Sequence, residues 1–298
     1  MDDVSAQPVR RIAAEVDKPV PAGIREIVAV IVTRHAPGVA AVLAYGSCIR
    51  DSSLDESLVD LYVLTHGPEH VSNGFFARIA CRILPPNVYY AESPHGPRVL
   101  RCKYSIMPLQ DFAYRMHAST GSPYFWARFA QPSRLVFSAD DHCRSIVLGA
   151  LVQAAATMVA ECRRLAIPGD DDLAIFARGL KASYAAELRA ERSARADMIA
   201  NAGQSYFVDL AALFPRAGPS DPARAELDWR RRRMIGKTLS VARLIKAGFT
   251  FEGGTDYLAW KIGRHSGEKL VPKAWHRRHP VLSGLMQLPK LLRRGTVR

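Results

Sequence analysis

The residues with the most chemical promise are Tyr45, Gly46 and Ser47, which close an apolar run, and Asp60, which lies inside a second apolar run about a dozen positions later. A glycine lets the backbone approach phosphate oxygens closely, and the serine hydroxyl adds a donor to the free N–H groups of such a turn. A carboxylate on the neighbouring strand suits a Mg²⁺ ion held against those oxygens. Gly-Ser alone is most often a simple turn. Asp60 says more, because it sits among Leu58, Val59, Leu61, Val63 and Leu64. Burying a lone carboxylate costs roughly several kcal/mol unless it is paired or bound to metal.

These residues need elements to hold them. Residues 23–35 have the apolar density of a buried helix, stopped by Ala36-Pro37-Gly38. Residues 39–45 and 58–64 read as buried strands. A helix is expected over 70–84, strands over 87–91 and 99–107, helices over 108–118 and 122–130, and a strand over 134–138. Beyond residue 140 the pattern turns helical, over 142–166, 171–200, 204–214 and 226–247. The expected organisation is an α/β (α+β) domain over 23–140, a mainly helical domain over 141–270 and a basic segment over 271–298. Residues 1–22 are Pro-containing and polar in pattern, which predicts a loose arm.

The chain has 298 residues, 48% of them hydrophobic and 23% charged, enough for one large core or two smaller ones. No stretch of eighteen consecutive apolar residues predicts a transmembrane helix, and the first twenty residues lack the apolar run of a secretory signal. A cytoplasmic location is the expectation. Five widely spaced cysteines without a CxxC pair read as reduced and buried. A net charge of +13 favours a polyanionic partner. No helix-turn-helix, RNP or zinc-finger signature supports specific nucleic-acid binding, and none of the nine histidines forms a HExxH-like pair.

A Gly-Ser turn followed by a strand carboxylate is the arrangement of polymerase-beta-type nucleotidyltransferases. Most of those carry Asp-x-Asp on the second strand, whereas this chain has Asp60-Leu61-Tyr62. In that departure it resembles the mitochondrial-type phosphatidate cytidylyltransferases, the translocator maintenance-type CDP-diacylglycerol synthases, as a divergent bacterial-like member. The resemblance runs through Tyr45-Gly46-Ser47, Val59-Asp60-Leu61-Tyr62, Val88-Tyr89-Tyr90 and Lys103-Tyr104-Ser105-Ile106. It continues with Asp111, the segment Tyr124 to Pro132 and the segment Ser183 to Arg189. The chain departs from that family at Cys48, Ser105 and Ala127, where the family has glycine, and at Gln131, where it has lysine.

The resemblance implies a nucleotidyltransferase fold and a reaction in which CTP and phosphatidate give CDP-diacylglycerol and pyrophosphate. It implies CTP-phosphate binding by Tyr45, Gly46 and Ser47, Mg²⁺ binding by Asp60, and cationic clamps at Lys103, Arg128 and, more weakly, Arg189. Asp55, Glu92 and Asp111 are candidates for a further metal ligand. Outside the resemblance, Lys103 also reads as a solvated cation on a strand edge. Arg128 also reads as a packing residue stacked among Trp126 and Phe129.

Residues 271–298 carry many Lys and Arg and no acid, with Val281, Leu282, Leu285, Met286, Leu288, Leu291 and Leu292 at near-helical spacing. The pattern suits an interfacial helix on anionic lipid, ahead of the alternative of a terminal helix docked on its own core, since an enzyme acting on a membrane lipid needs a docking surface. A lipid acceptor would place the protein peripherally on the inner face of the membrane. Two other functions fit the same residues: a nucleotidyltransferase with a different acceptor, and a non-catalytic basic protein that binds membrane or nucleic acid.

Overall fold

The computed structural model describes residues 2–49, 58–96, 98–188, 194–214 and 221–250. Its centre is a five-stranded mixed sheet of β1 (Val39–Tyr45), β2 (Val59–Thr65), β3 (Asn87–His95), β4 (Arg98–Pro108) and β5 (Ser133–Ser138). The spatial order is β3-β4-β2-β1-β5. The β2–β4 pair is parallel and the other three pairs are antiparallel. β1 and β2 are interior strands with covered faces, which is why they read as nearly continuous apolar runs.

Helices α1 (Asp2–Val16) and α2 (Ala22–His35) precede the sheet. α3 (Phe75–Ile83) follows β2, and the short helices α4 (Leu109–Tyr114) and α5 (Trp126–Phe129) lie between β4 and β5. After β5 come α6 (Asp141–Arg163), α7 (Asp172–Ala185), α8 (Ala194–Ala202), α9 (Gln204–Leu213) and α10 (Pro222–Thr250). Asp140 and Asp171 start α6 and α7 by accepting the N–H groups of Cys143 and Ala174, each at 2.7 Å. α2 covers one sheet face, where the His35 ring meets Tyr89 and Tyr104. The other face carries Tyr62, whose ring packs on Phe112 of α4 and Phe129 of α5.

All described strands lie within residues 39–138, and every described element from 141 onward is a helix. Buried apolar residues of both parts join one cluster. Helices approach closely where glycine permits it. A Cβ on Gly236 of α10 would stand 2.4 Å from the Ala186 carbonyl oxygen after α7. α10 is also tied to α6 by a two-pronged ion pair, in which Arg232 donates to both Glu161 oxygens at 2.6 and 2.7 Å. α6 is long and apolar enough by composition to cross a membrane, yet it packs in the core against α1, α4, α5 and α7.

Several expectations change. Residues 2–16 are helical, not a loose arm: Ile12 and Val16 enter the core, and buried Glu15 accepts from Arg134 of β5 and from Lys18, each at 2.8 Å. The helix expected over 70–84 is a 3-10 turn, Pro68–Val71, followed by α3, because Gly74 separates them. In place of one helix over 171–200 the described residues form two elements, Asp172–Ala185 and Ala194–Ala202, with residues 186–188 outside either helix. The helices expected over 108–118 and 122–130 shorten to six and four residues.

Candidate functional site

Strand register assembles the candidate residues. Tyr45, the last residue of β1, lies opposite Asp60 of β2. Asp60 lies beside Lys103 of β4, and Lys103 beside Tyr90 of β3. Residues directly opposite one another share a sheet face. Tyr45, Asp60, Lys103 and Tyr90 therefore form a row across four strands at the end of the sheet where β1 leaves it.

The chain leaves β1 through Gly46, whose φ of 85° is in the left-handed region that favours glycine. Ser47 then opens a single 3-10 turn, Ser47–Ile49. The Gly-Ser bend thus makes one short turn within the described residues. Buried Cys48 donates its thiol to the Tyr45 carbonyl at 3.2 Å, so the residue in place of a third small residue faces inward.

Asp60 has the least satisfied environment in this row. Its Oδ1 is buried and accepts no hydrogen bond. Lys103 Nζ is 3.5 Å from that oxygen, within ion-pair range, with the two side chains 33% and 27% exposed. The Asp60 Oδ2 lies 3.7 Å from where a Cβ on Gly46 would stand, so the carboxylate faces the turn. Lys103 is on an interior strand, covered on its outer side by β3, and is not the edge residue its sequence context also allowed.

Tyr45 sits between the carboxylate and a cation. Burial, and next the Asp60 charge, push its phenol well above the usual tyrosine range, so it stays a neutral donor. Arg128 Cζ lies 5.5 Å from the Tyr45 ring and 4.4 Å from the Tyr124 ring. Arg128 donates to the Tyr124 hydroxyl at 3.2 Å and pairs with Glu187 at 3.8 Å. Its stacking partners are these two tyrosines and not Trp126 or Phe129. From α10, Arg243 packs over Tyr124 at 4.1 Å, so two guanidinium groups contact one ring.

The remaining candidates fall elsewhere. Glu92 accepts from Tyr90 at 2.7 Å and from Arg101 at 3.2 Å, which commits it to a neighbouring network. Asp111 is on α4 near Arg115, whose pKa burial lowers while the Asp111 charge opposes that shift. Asp55, Arg189 and residues 271–298 lie outside the described residues. Among the described residues no group of three His, Cys, Asp or Glu side chains could hold a metal ion. Asp60 fits a narrower role, because Mg²⁺ is commonly held by one or two carboxylates with water and substrate phosphates completing the shell. A surface depression of about 570 Å³ is lined by Asn201, Gln204, Ser205, Val208 and Asp209, and includes none of these candidates.

No family model and no curated protein matches the chain. Among solved structures it is similar to a nucleotidyltransferase-like protein from Exiguobacterium sibiricum 255-15, at 12% sequence identity and a TM-score of 0.27, over 91% of this chain and 92% of that one. At that TM-score the likeness assigns no activity and no site residue. The chemistry has to be read from the side chains.

Sequence reasoning missed Tyr124, Glu187 and Arg243 as parts of this constellation. Glu187 lies in the segment Ser183 to Arg189, where its acidity is the available signal. Arg243 had none, since it is one of many basic residues on α10 and only tertiary packing brings it to Tyr124.

Proposed function

We propose that the chain is a nucleotidyltransferase that moves CMP from CTP to phosphatidate, giving CDP-diacylglycerol and pyrophosphate. The observation that carries the nucleotidyl-transfer reading is the Asp60 carboxylate. It is buried at one oxygen without a hydrogen bond, flanked by Lys103 and turned toward the Gly46-Ser47 bend. A carboxylate left this way is costly unless a ligand completes it. The choice of acceptor rests on the family resemblance of the motifs around residues 45, 60, 89, 103 and 128.

In this reading Asp60 holds Mg²⁺, which when bound neutralises phosphate charge. Gly46 lets the backbone approach the phosphates, and the Ser47 hydroxyl adds a donor. Lys103 offers three N–H donors to the phosphate oxygens from beside Asp60. Arg128, braced by Tyr124 and Glu187, presents a fixed cation across Tyr45. A phosphatidate oxygen attacks the α-phosphorus of CTP, and the bond from that phosphorus to the bridging oxygen breaks as pyrophosphate leaves. The attacking phosphate is already ionised near neutral pH, so positioning and charge neutralisation supply the rate enhancement without a strong general base.

The test is transfer of label from α-labelled CTP into lipid, with vesicles containing phosphatidate and with Mg²⁺ or Mn²⁺. Labelled lipid from the wild type, lost in Asp60→Ala, is the expected outcome. A folded wild type that leaves the lipid unlabelled under both metals would remove phosphatidate as the acceptor. Pyrophosphate release with another acceptor would then keep the nucleotidyl-transfer reading alone.

A further inference from the structure

α3 is built inside out. Its one fully buried residue is Cys81, whose thiol reaches the Ile106 carbonyl at 3.6 Å. The small Ala77 and Ala80 face partly inward, while Phe75, Phe76, Ile79 and Ile83 are 62%, 83%, 41% and 75% exposed. Positions 75, 79 and 83 recur at helical spacing and form one stripe, with Phe76 beside it. An ordinary surface helix turns such residues to the core. Here the inward side is held by polar contacts instead, including Asn87 Nδ2 on the Ala77 carbonyl at 2.9 Å.

The last turns of α10 dock at the C-terminal end of this helix. Lys246 Nζ donates to the Leu84 and Pro86 carbonyls, each at 2.6 Å, and Arg243 Nε donates to the Pro85 carbonyl at 3.2 Å. With its cations turned to those carbonyls, this stretch of α10 exposes Leu244, Ile245 and Phe249. Two helix ends that meet through polar groups thus both leave their large apolar side chains in solvent. The flanking charges are basic: exposed Arg82 and half-buried Arg78 on α3, and exposed Lys237 on α10.

We propose that α3, with the end of α10 beside it, is a docking face for an anionic lipid bilayer. Aromatic and aliphatic side chains enter the acyl boundary, while the arginines and the lysine meet the headgroup phosphates. Charge complementarity selects lipid over a second copy, since two copies of this face would oppose their own arginines and each chain carries +13. The proposal stands whether or not phosphatidate is the acceptor.

The experiment is sedimentation of the full chain with vesicles, without nucleotide or divalent cation. Neutral phosphatidylcholine vesicles are compared with vesicles that also contain phosphatidylglycerol. Expected are binding to the anionic vesicles that weakens with added NaCl, at least tenfold loss in the double variant Phe75→Ser, Phe76→Ser, and unchanged binding in Met198→Ser. These positions are exposed, and circular dichroism checks that each variant is folded. The proposal is overturned if the wild type does not bind, if it binds neutral vesicles equally, or if the double variant binds like the wild type. A wild-type dimer that the double variant turns into a monomer would also overturn it, by assigning the face to a second copy.

Discussion

If Asp60 is a metal ligand, Lys103 competes with the metal for it, and Lys103→Met should tighten metal binding. Coulomb's law gives the size. At the 3.5 Å separation of Lys103 Nζ and Asp60 Oδ1, opposite unit charges attract by about 1.2 kcal/mol at the dielectric constant of water and about 4.7 kcal/mol at an effective value of 20. The two side chains are 33% and 27% exposed, which puts the pair toward the aqueous end, at ~1 kcal/mol. Removing that competitor should improve Mn²⁺ affinity about fivefold, a ~1 kcal/mol change. Titration calorimetry or the electron paramagnetic resonance signal of free Mn²⁺ reads this directly, with no substrate present. Asp60→Asn should abolish the same binding. Transfer activity should fall in Lys103→Met even as the metal binds better, since the lysine also serves the phosphates. Unchanged or weaker Mn²⁺ binding in Lys103→Met would refute the competition argument. Wild-type binding in Asp60→Asn would refute the metal role of Asp60.

Three further outcomes follow from the structure. Gly46→Ala forces a side chain into a φ of 85°, so it should lower the urea unfolding free energy by ~1–2 kcal/mol and reduce activity, although space for the methyl exists. Glu161→Gln leaves buried Arg232 without its charge partner and should cost ~3–5 kcal/mol in the same measurement, whereas the double change Glu161→Met, Arg232→Met should cost less. Burial, with the Arg34 charge adding to it, lowers the pKa of His35 below its unfolded value of 6.5. The unfolded state therefore binds the proton more readily. The stability contribution is present above pH 6.5 and is lost as pH falls through the folded pKa. The fall in urea midpoint between pH 7 and pH 5 should be smaller in His35→Phe than in the wild type.

The sequence determined the local elements and the chemistry they carry. The period-free apolar runs at 39–45 and 58–64 marked interior strands, and the structure has β1 and β2 there. Asp60 was conspicuous because a carboxylate inside such a run needs a reason to be there. Apolar spacing, with the Ala36-Pro37-Gly38 stop, placed α2, α6 and α9 within a few residues of their ends. These signals are local, since period, caps and breakers act over a few residues.

Tertiary structure decided what depends on residues far apart in the chain. The parallel pairing of β2 with β4 sets Lys103 beside Asp60, and no one-dimensional pattern encodes that register. The covering of β4 by β3 turned an apparent edge lysine into an interior one. Residues 1–22 read as an arm because they contain proline and are polar in pattern, and Pro8 lies inside α1. α1 became a helix because Glu15 finds Arg134 119 positions away, and Ile12 and Val16 find the core. Arg243 reaches Tyr124 only because α10 packs back over the sheet domain, with Gly236 allowing its close approach to Ala186. A sequence displays which groups are costly to bury, but which partner satisfies each of them is settled by the chain's path through space.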